Sequence, residues 1–464
     1  MTNQHDPVDA WLEREVAPLL PPPGSLDRIR RTARRRKRNR AMVTVAGCAV
    51  VVAAAVSAPQ LASALRAQPS GPRPVAGGSA PPSARATPSG GASGQSAGAR
   101  PLQTVQRTRL STTTSGTVPP PHFRPTSVTF VGTGSNSVVG AVIGQAGPPC
   151  ATSDCTSLAG TSNYGSSWYG VSAPVAPAPD ASTGVSQLRF VSLTDGWAFG
   201  PALWETSDGG WPWQREDTYG LRVTDLEAAG QRAFAVFASC SGTGAQYASG
   251  CTSFSLYTSA AGSTTWTPVA VPAAFAHMTS GTPSAATLVI SGGTTGYLLT
   301  PSGEVLSGPV AGGAWTAVGK APCLPGQAQA SGQPADAQLA AGSSLLLACD
   351  TASGTSYQST IYSSVNGASW KQVAVVPTAG AATSLAGTST GQFALATTAG
   401  IYYSQDSGST WQASRITSSP PGGFSYVGLT NTTQGVAVPA DAALGEIFVT
   451  RDGGLAWTAA AITG

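Results

Sequence analysis

Eight residues, SQDSGSTW at Ser404–Trp411, decide how this chain is read. TSDGGWPW (Thr206–Trp213) and TRDGGLAW (Thr450–Trp457) repeat the same frame: a hydroxyl, an Asp two residues on, a Gly in fifth place and a closing Trp. TSNYGSSW (Thr161–Trp168) has Asn163 in place of the acid, and SSVNGASW (Ser363–Trp370) has lost it. TSAAGSTTW (Thr258–Trp266) is one residue longer, and Ser307–Trp315 keeps only the ending GGAW. The closing residues Trp168, Trp213, Trp266, Trp315, Trp370, Trp411 and Trp457 stand 45, 53, 49, 55, 41 and 46 apart. A recurrence of 40–55 residues filled with short apolar alternations marks a propeller or a similar array.

Each unit has the same internal order. An inner strand pattern such as LRFVSL (Leu188–Leu193) or SYVGLT (Ser425–Thr430) comes first. A second follows, such as GWAFG (Gly196–Gly200), GQFALAT (Gly391–Thr397) or GVAVPA (Gly435–Ala440). A third, such as GIYYSQ (Gly400–Gln405) or EIFVTR (Glu446–Arg451), runs into the motif, and a fourth starts at the Trp, as in WKQVAVV (Trp370–Val376). Four short strands per unit and seven units over 121–464 predict an all-β fold, a seven-bladed β-propeller of four-stranded blades. Composition agrees: 56 Gly and 36 Pro, with only 10% charged residues, suit many turns and exclude a coiled coil or a charged disordered chain.

The motif S/T-x-D-x-G-x-S/T-W resembles the Asp-box, or BNR, repeat of sialidase-type propellers. TDGWAFGPALWETSDGGWPWQ (Thr194–Gln214) is similar to the repeat of photosystem assembly-factor propellers of the Ycf48 type. The resemblance implies a turn on the blade perimeter, away from the axis. The residue chemistry gives a reason. A carboxylate can accept backbone N–H groups across a hairpin turn, the Gly permits a positive φ, the hydroxyl adds a local bond and the Trp buries a large ring. Asp208, Asp406 and Asp452 are therefore expected to be structural.

Seven Cys are present. Cys48 falls in an apolar run. The other six form sequence-local pairs and are disulfide candidates: Cys150 with Cys155, Cys240 with Cys251, and Cys323 with Cys349. Cys240 and Cys251 bracket a Gly/Ser/Ala-rich loop, so a bridge there would staple a hairpin. With three His in the chain and no zinc-like spacing, no metal and no cofactor are expected.

Sialidase-like catalysis uses a Tyr nucleophile aided by a Glu, an acidic proton donor and an Arg cluster. Residues 125–464 hold six Arg: Arg189, Arg215, Arg222, Arg232, Arg415 and Arg451. None occupies the early-strand setting of that family's first carboxylate ligand, and Arg451 lies inside a motif. The acidic patch Glu216–Asp217 with Asp225 and Glu227 reads as a solvated connection after the second blade. No G-x-S-x-G, P-loop or HExxH occurs. No catalytic residue is expected.

The N-terminal quarter differs. Residues 1–40 carry ten basic and five acidic groups, 41–124 carry seven Arg and no acid, and 125–464 carry eight basic and sixteen acidic groups. RIRRTARRRKRNR (Arg28–Arg40) has nine cations immediately before 25 uncharged residues, 41–65. An apolar stretch flanked by cations predicts one transmembrane helix, core about 42–64, with the N-terminus cytoplasmic. A cleaved signal peptide ending near Ala62-Ser63-Ala64 and a lipoprotein box at Val45–Cys48 are the alternatives. Anionic lipid explains the basic run better than nucleic acid does, and no nucleic acid is expected to bind. Residues 66–120, rich in Pro, Gly, Ser and Ala, are expected to be a disordered tether reaching on the order of 40 Å. In 1–40, VDAWLEREVA (8–17) sets Val8, Trp11, Leu12 and Val16 on one helical face, a candidate dock for a cytoplasmic protein. That arrangement weakly resembles tails of membrane proteins linked to extracytoplasmic-function sigma factors. Three functions are carried forward: an envelope binding or scaffold module for a protein or glycan, a transmembrane regulator, and a glycosidase-like hydrolase. The expected location is the cell membrane, with the propeller outside.

Overall fold

The computed structural model of the chain describes residues 118–463, except 133–137, 147–155, 178–182, 211, 243–249, 277–285, 325–326, 329–333, 336 and 354–355. They form seven antiparallel sheets in chain order, over 124–171, 187–215, 222–268, 287–320, 337–378, 382–413 and 424–461. Each is a plain four-stranded meander, first strand to fourth. The first strands of successive blades lie side by side from blade 1 to blade 7, so they surround the axis. The expected seven-bladed propeller is the fold. The expected cytoplasmic helix, the membrane span and the tether up to 117 lie outside the described residues. Among the described residues no helix is long and apolar enough to cross a membrane.

Alternation puts one face of each strand against the preceding blade and the other against the next. Second strands are buried on both faces, as in Gly196–Phe199, Phe393–Thr397 and Gly435–Pro439. Their Phe, Val and Leu side chains face two blades at once, which explains continuous apolar runs in place of alternation. The core is consequently seven cores, one at each blade interface.

Inner strands present backbone N–H groups near the axis that their own sheet does not use, and such groups need partners. Side chains of the preceding blade supply them. Ser127 Oγ accepts the Leu188 N–H at 3.2 Å, Asp225 Oδ2 accepts the Leu288 N–H at 2.7 Å and Ser384 Oγ accepts the Val427 N–H at 3.2 Å. Asp350 does the same for the Ala382 N–H.

The ring closes without strand exchange, since blades 1 and 7 are each built from one continuous segment. Packing closes it instead. Phe123, Val128, Val142 and Trp168 of the first blade region meet Val436, Val438, Ile447 and Ile462 of the last. The Tyr164 hydroxyl lies 2.6 Å from the Gly435 carbonyl and 2.8 Å from that of Thr450. One addition breaks the pattern: Arg415–Ile416, in the connection from blade 6, pairs in parallel with the outer strand Ala456–Ala461 of blade 7.

Candidate functional site

At the turns between third and fourth strands, one hydroxyl anchors the loop. Thr161, Thr206, Ser364, Ser404 and Thr450 accept the N–H groups of Gly165, Gly210, Gly367, Gly408 and Gly454 at 2.9–3.1 Å. In blade 5 the anchor is Ser364, one residue later than the sequence frame placed it. Gly408 needs its residue type twice over. Its φ is +85°, and a Cβ there would sit 2.5 Å from Leu346 Cδ1.

Asp406 Oδ1 accepts the Thr410 N–H at 2.8 Å and the Ser404 hydroxyl at 2.9 Å, while Oδ2 accepts the Thr410 hydroxyl at 2.7 Å. Slight burial acts against ionisation, yet these donors hold the carboxyl below its ordinary pKa. Asp452 Oδ1 accepts the Thr450 hydroxyl at 2.8 Å and the Ala456 N–H at 3.0 Å. Asn163 Oδ1 accepts the Thr161 hydroxyl and the Ser167 N–H, and its amide donates to Ser167 Oγ at 2.8 Å. Asp208 lies in the corresponding turn, where Thr206 Oγ1 accepts its N–H at 3.4 Å. Each of the seven closing Trp residues joins the core between its own blade and the one before. Trp213 packs between blades 1 and 2, Trp266 between 2 and 3, and Trp315 between 3 and 4. Trp370, Trp411, Trp457 and Trp168 continue the series to the seam.

Two of the three expected disulfides are formed among the described residues. Cys240 and Cys251 face each other across the hairpin of blade 3, and Cys323–Cys349 ties the connection entering blade 5 to that blade's second strand. The third expected bridge, from Cys150 to Cys155, is not among them: Cys150 and Cys155 both lie outside the described residues.

The second and third strands of blades 3 and 5 are long, Arg232–Cys240 with Cys251–Ala260, and Leu345–Ser353 with Ser356–Ser364. In a meander their tips emerge on the same face as the connections from one blade to the next. That face also carries the short hairpin Gln327–Ala328 with Pro334–Ala335 and the helical turn Ala273–Ala276. The Arg222 guanidinium donates to the Gly242 carbonyl just past the blade 3 bridge.

The acidic patch is not a solvated connection, which corrects the sequence reading. Asp225 and Glu227 belong to Arg222–Ala229, the inner strand of blade 3, and Glu216 is buried. Near the axis Asp225 and Glu227 meet Arg189, from the inner strand of blade 2. Arg189 Nε donates to Glu227 Oε1 at 3.0 Å, and its Nη1 donates to the Leu188 carbonyl. The guanidinium carbon lies 5.6 Å from the Tyr426 ring centroid of blade 7 and 5.9 Å from that of Phe199. Burial acts to lower the Arg189 pKa, and Glu227 together with Tyr426 and Asp225 outweighs it, so the guanidinium stays charged. Asp225 is pushed up to about 7 by burial and by Glu227, against two N–H donors, Leu288 and Leu226. Nearby in blade 2, Glu205 is pushed up to about 8 by burial and then by Glu216. Sequence reasoning missed both groups. Alternation could mark Asp225 and Glu227 only as neighbours on a strand, and nothing local says that blades 2, 3 and 7 converge on one Arg.

Among the described residues no group of three or more His, Cys, Asp or Glu could hold a metal ion. A cleft of about 440 Å³ opens at the seam, lined by Tyr164 and Ser166 of blade 1 and by Arg451, Asp452 and 458–461 of blade 7.

No protein-family model matches the chain, and no curated protein matches it. Several solved structures are similar. YCF48 from Cyanidioschyzon merolae is 15% identical over 59% of this chain and 83% of its own, with a TM-score of 0.39. The GH74 enzyme of Niastella koreensis is 14% identical over 72% and 65%, TM-score 0.36. PorZ, a surface component of the type-IX secretion system of Porphyromonas gingivalis, is 12% identical over 74% and 46%, TM-score 0.36. Likeness of this degree carries neither activity nor ligand.

Proposed function

We propose that this chain is a membrane-tethered, extracytoplasmic propeller of the Asp-box type that binds or scaffolds a protein or glycan at the cell envelope. One observation carries the reading: the polar groups that resemble chemistry are engaged in structural bonds, between blades or within a turn. Arg189 is paired with Glu227 and stacked near Tyr426, and Asp225 accepts two backbone N–H groups. Asp406 and Asp452 are bonded within their own turns. What varies from blade to blade is the face with the stapled hairpin of blade 3 and the long hairpin of blade 5. A rigid scaffold with loops elaborated on one face suits recognition. The cation cluster of 28–40 beside the uncharged run 41–65 supports the tether and its orientation.

The test is topological and biochemical. A phosphatase reporter fused at the C-terminus should be active outside the membrane, and a cytosolic signal would refute the location. Proteins or glycans recovered with the full-length chain should be lost when the blade 3 hairpin tip, 241–250, is shortened. Hydrolysis of fluorogenic glycosides by the full-length chain would replace the binding reading with an enzymatic one.

A further inference from the structure

The seam cleft has features that ring closure does not require. Four consecutive residues, 458–461, line it. Ala456, Thr458, Ala460 and Val449 put one face of blade 7 into it, whereas Ala459 and Ala461 alternate to the other face and reach it through their backbone at the outer edge. That edge already accepts a strand: Arg415 N–H donates to the Leu455 carbonyl at 2.9 Å and Thr417 N–H to the Trp457 carbonyl at 3.2 Å. The Thr417 hydroxyl then accepts the Ala459 N–H at 3.4 Å. No described strand continues past Thr417 along this edge. By alternation, the Ala459 carbonyl and the Ala461 N–H point outward beyond it.

Arg451 lines the same cleft. Its guanidinium lies 4.9 Å from the Tyr164 ring centroid. Only Nη2 is engaged among the described residues, in long contacts with the Tyr164 carbonyl at 3.4 Å and Ser166 Oγ at 3.3 Å. The neighbouring Asp452 is held into its turn through Oδ1 by Thr450 and Ala456. The cleft thus offers a cation with unengaged donors, an open strand edge and a floor of Thr458, Ala460 and Val449. A volume of about 440 Å³ lies within the range of ligand sites.

We infer that this cleft binds an extended acidic peptide, which adds to the outer edge of blade 7 and sets a side-chain carboxylate on Arg451. The edge supplies main-chain hydrogen bonds, the methyl floor admits small side chains at alternate positions, and the guanidinium selects the acid. The inference rests on the binding-module reading and gives it one specific site.

The test uses the full-length chain and fluorescein-labelled hexapeptides of alternating Ala and Val carrying a single Glu, Gln or Lys, followed by fluorescence polarisation. The Glu peptides should bind saturably, at least tenfold more tightly than the Lys peptides. Arg451→Gln should bring Glu peptides down to the level of Gln peptides. Ala461→Pro, which removes an outward N–H, should abolish binding. Should that variant fail to fold, Ala460→Val, which narrows the cleft, should weaken every peptide. Equal binding of Glu and Lys peptides, no saturable binding, or binding unaltered by Arg451→Gln and Ala460→Val would overturn the assignment. A partner recovered equally with wild-type chain and with the Arg451→Gln, Ala460→Val double variant would remove the cleft and leave the binding-module reading standing.

Discussion

Asp406 and Asn163 perform one task with different chemistry. The carboxylate uses both oxygens on Thr410 and Ser404, whereas Asn163 uses its oxygen on a backbone N–H and its amide on Ser167 Oγ. Asp406→Ala removes three acceptor contacts at an exposed turn and should lower stability by about 1 kcal/mol. Asp406→Asn should also lower the melting temperature, but by less, because the Asn163 turn shows that an amide suffices. Thermal unfolding of both variants checks the order, and an Asn variant as unstable as Ala would contradict it. The Asp, Gly and Trp of these turns were legible because each type is needed at a fixed offset. The Ser364 anchor was misplaced by one because adjacent serines offer identical chemistry and only the fold of the turn selects between them.

At the scale of a blade, the interface is the unit of stability. Trp266 and Trp457 are fully buried between blades, while Trp411 is half-buried. Trp266→Ala or Trp457→Ala should cost about 3–5 kcal/mol, and Trp411→Ala clearly less, by chemical denaturation. The seam depends on a residue type that no other motif copy carries at that place. Tyr164 adopts a φ of +59° and sends its hydroxyl to two carbonyls of blade 7. Tyr164→Phe keeps the ring and loses that bond, so it should destabilise by about 1 kcal/mol. Hydrogen exchange should rise first in 446–461 and 124–145, and exchange rising evenly across all blades would contradict a local seam. Reduction of Cys240–Cys251 opens an 11-residue separation and should cost about 2–3 kcal/mol. The hairpin was readable from two Cys flanking a Gly-rich stretch. The parallel strand Arg415–Ile416 was not, because two residues carry no period.

For the whole molecule, the sequence revealed blade number and strand order because Trp recurs once per interface and a ring repeats one interface seven times. It could not reveal the charge cluster near the axis, since Arg189, Asp225, Glu227 and Tyr426 come from three blades and meet only when the ring is closed. That closure has a consequence for pH. Burial holds the Glu205 and Asp225 protons to about 8 and about 7, well above the ordinary carboxyl values of 4.5 and 3.8. Between the ordinary and the raised value, the folded chain retains protons that the unfolded chain has released, so stability falls as pH rises across that window. Asp406 acts in the opposite sense, but its carboxyl lies below 3.8, so its contribution is lost only in more acidic solution. The chain should therefore melt at a higher temperature at pH 5 than at pH 8.5, with the decline concentrated between about 4.5 and 8. Glu205→Gln keeps the shape of the side chain and removes its titration, so it should flatten part of that decline. A melting temperature that rises from pH 5 to 8.5, or a Glu205→Gln variant with the full wild-type slope, would show that the buried carboxyls do not control it.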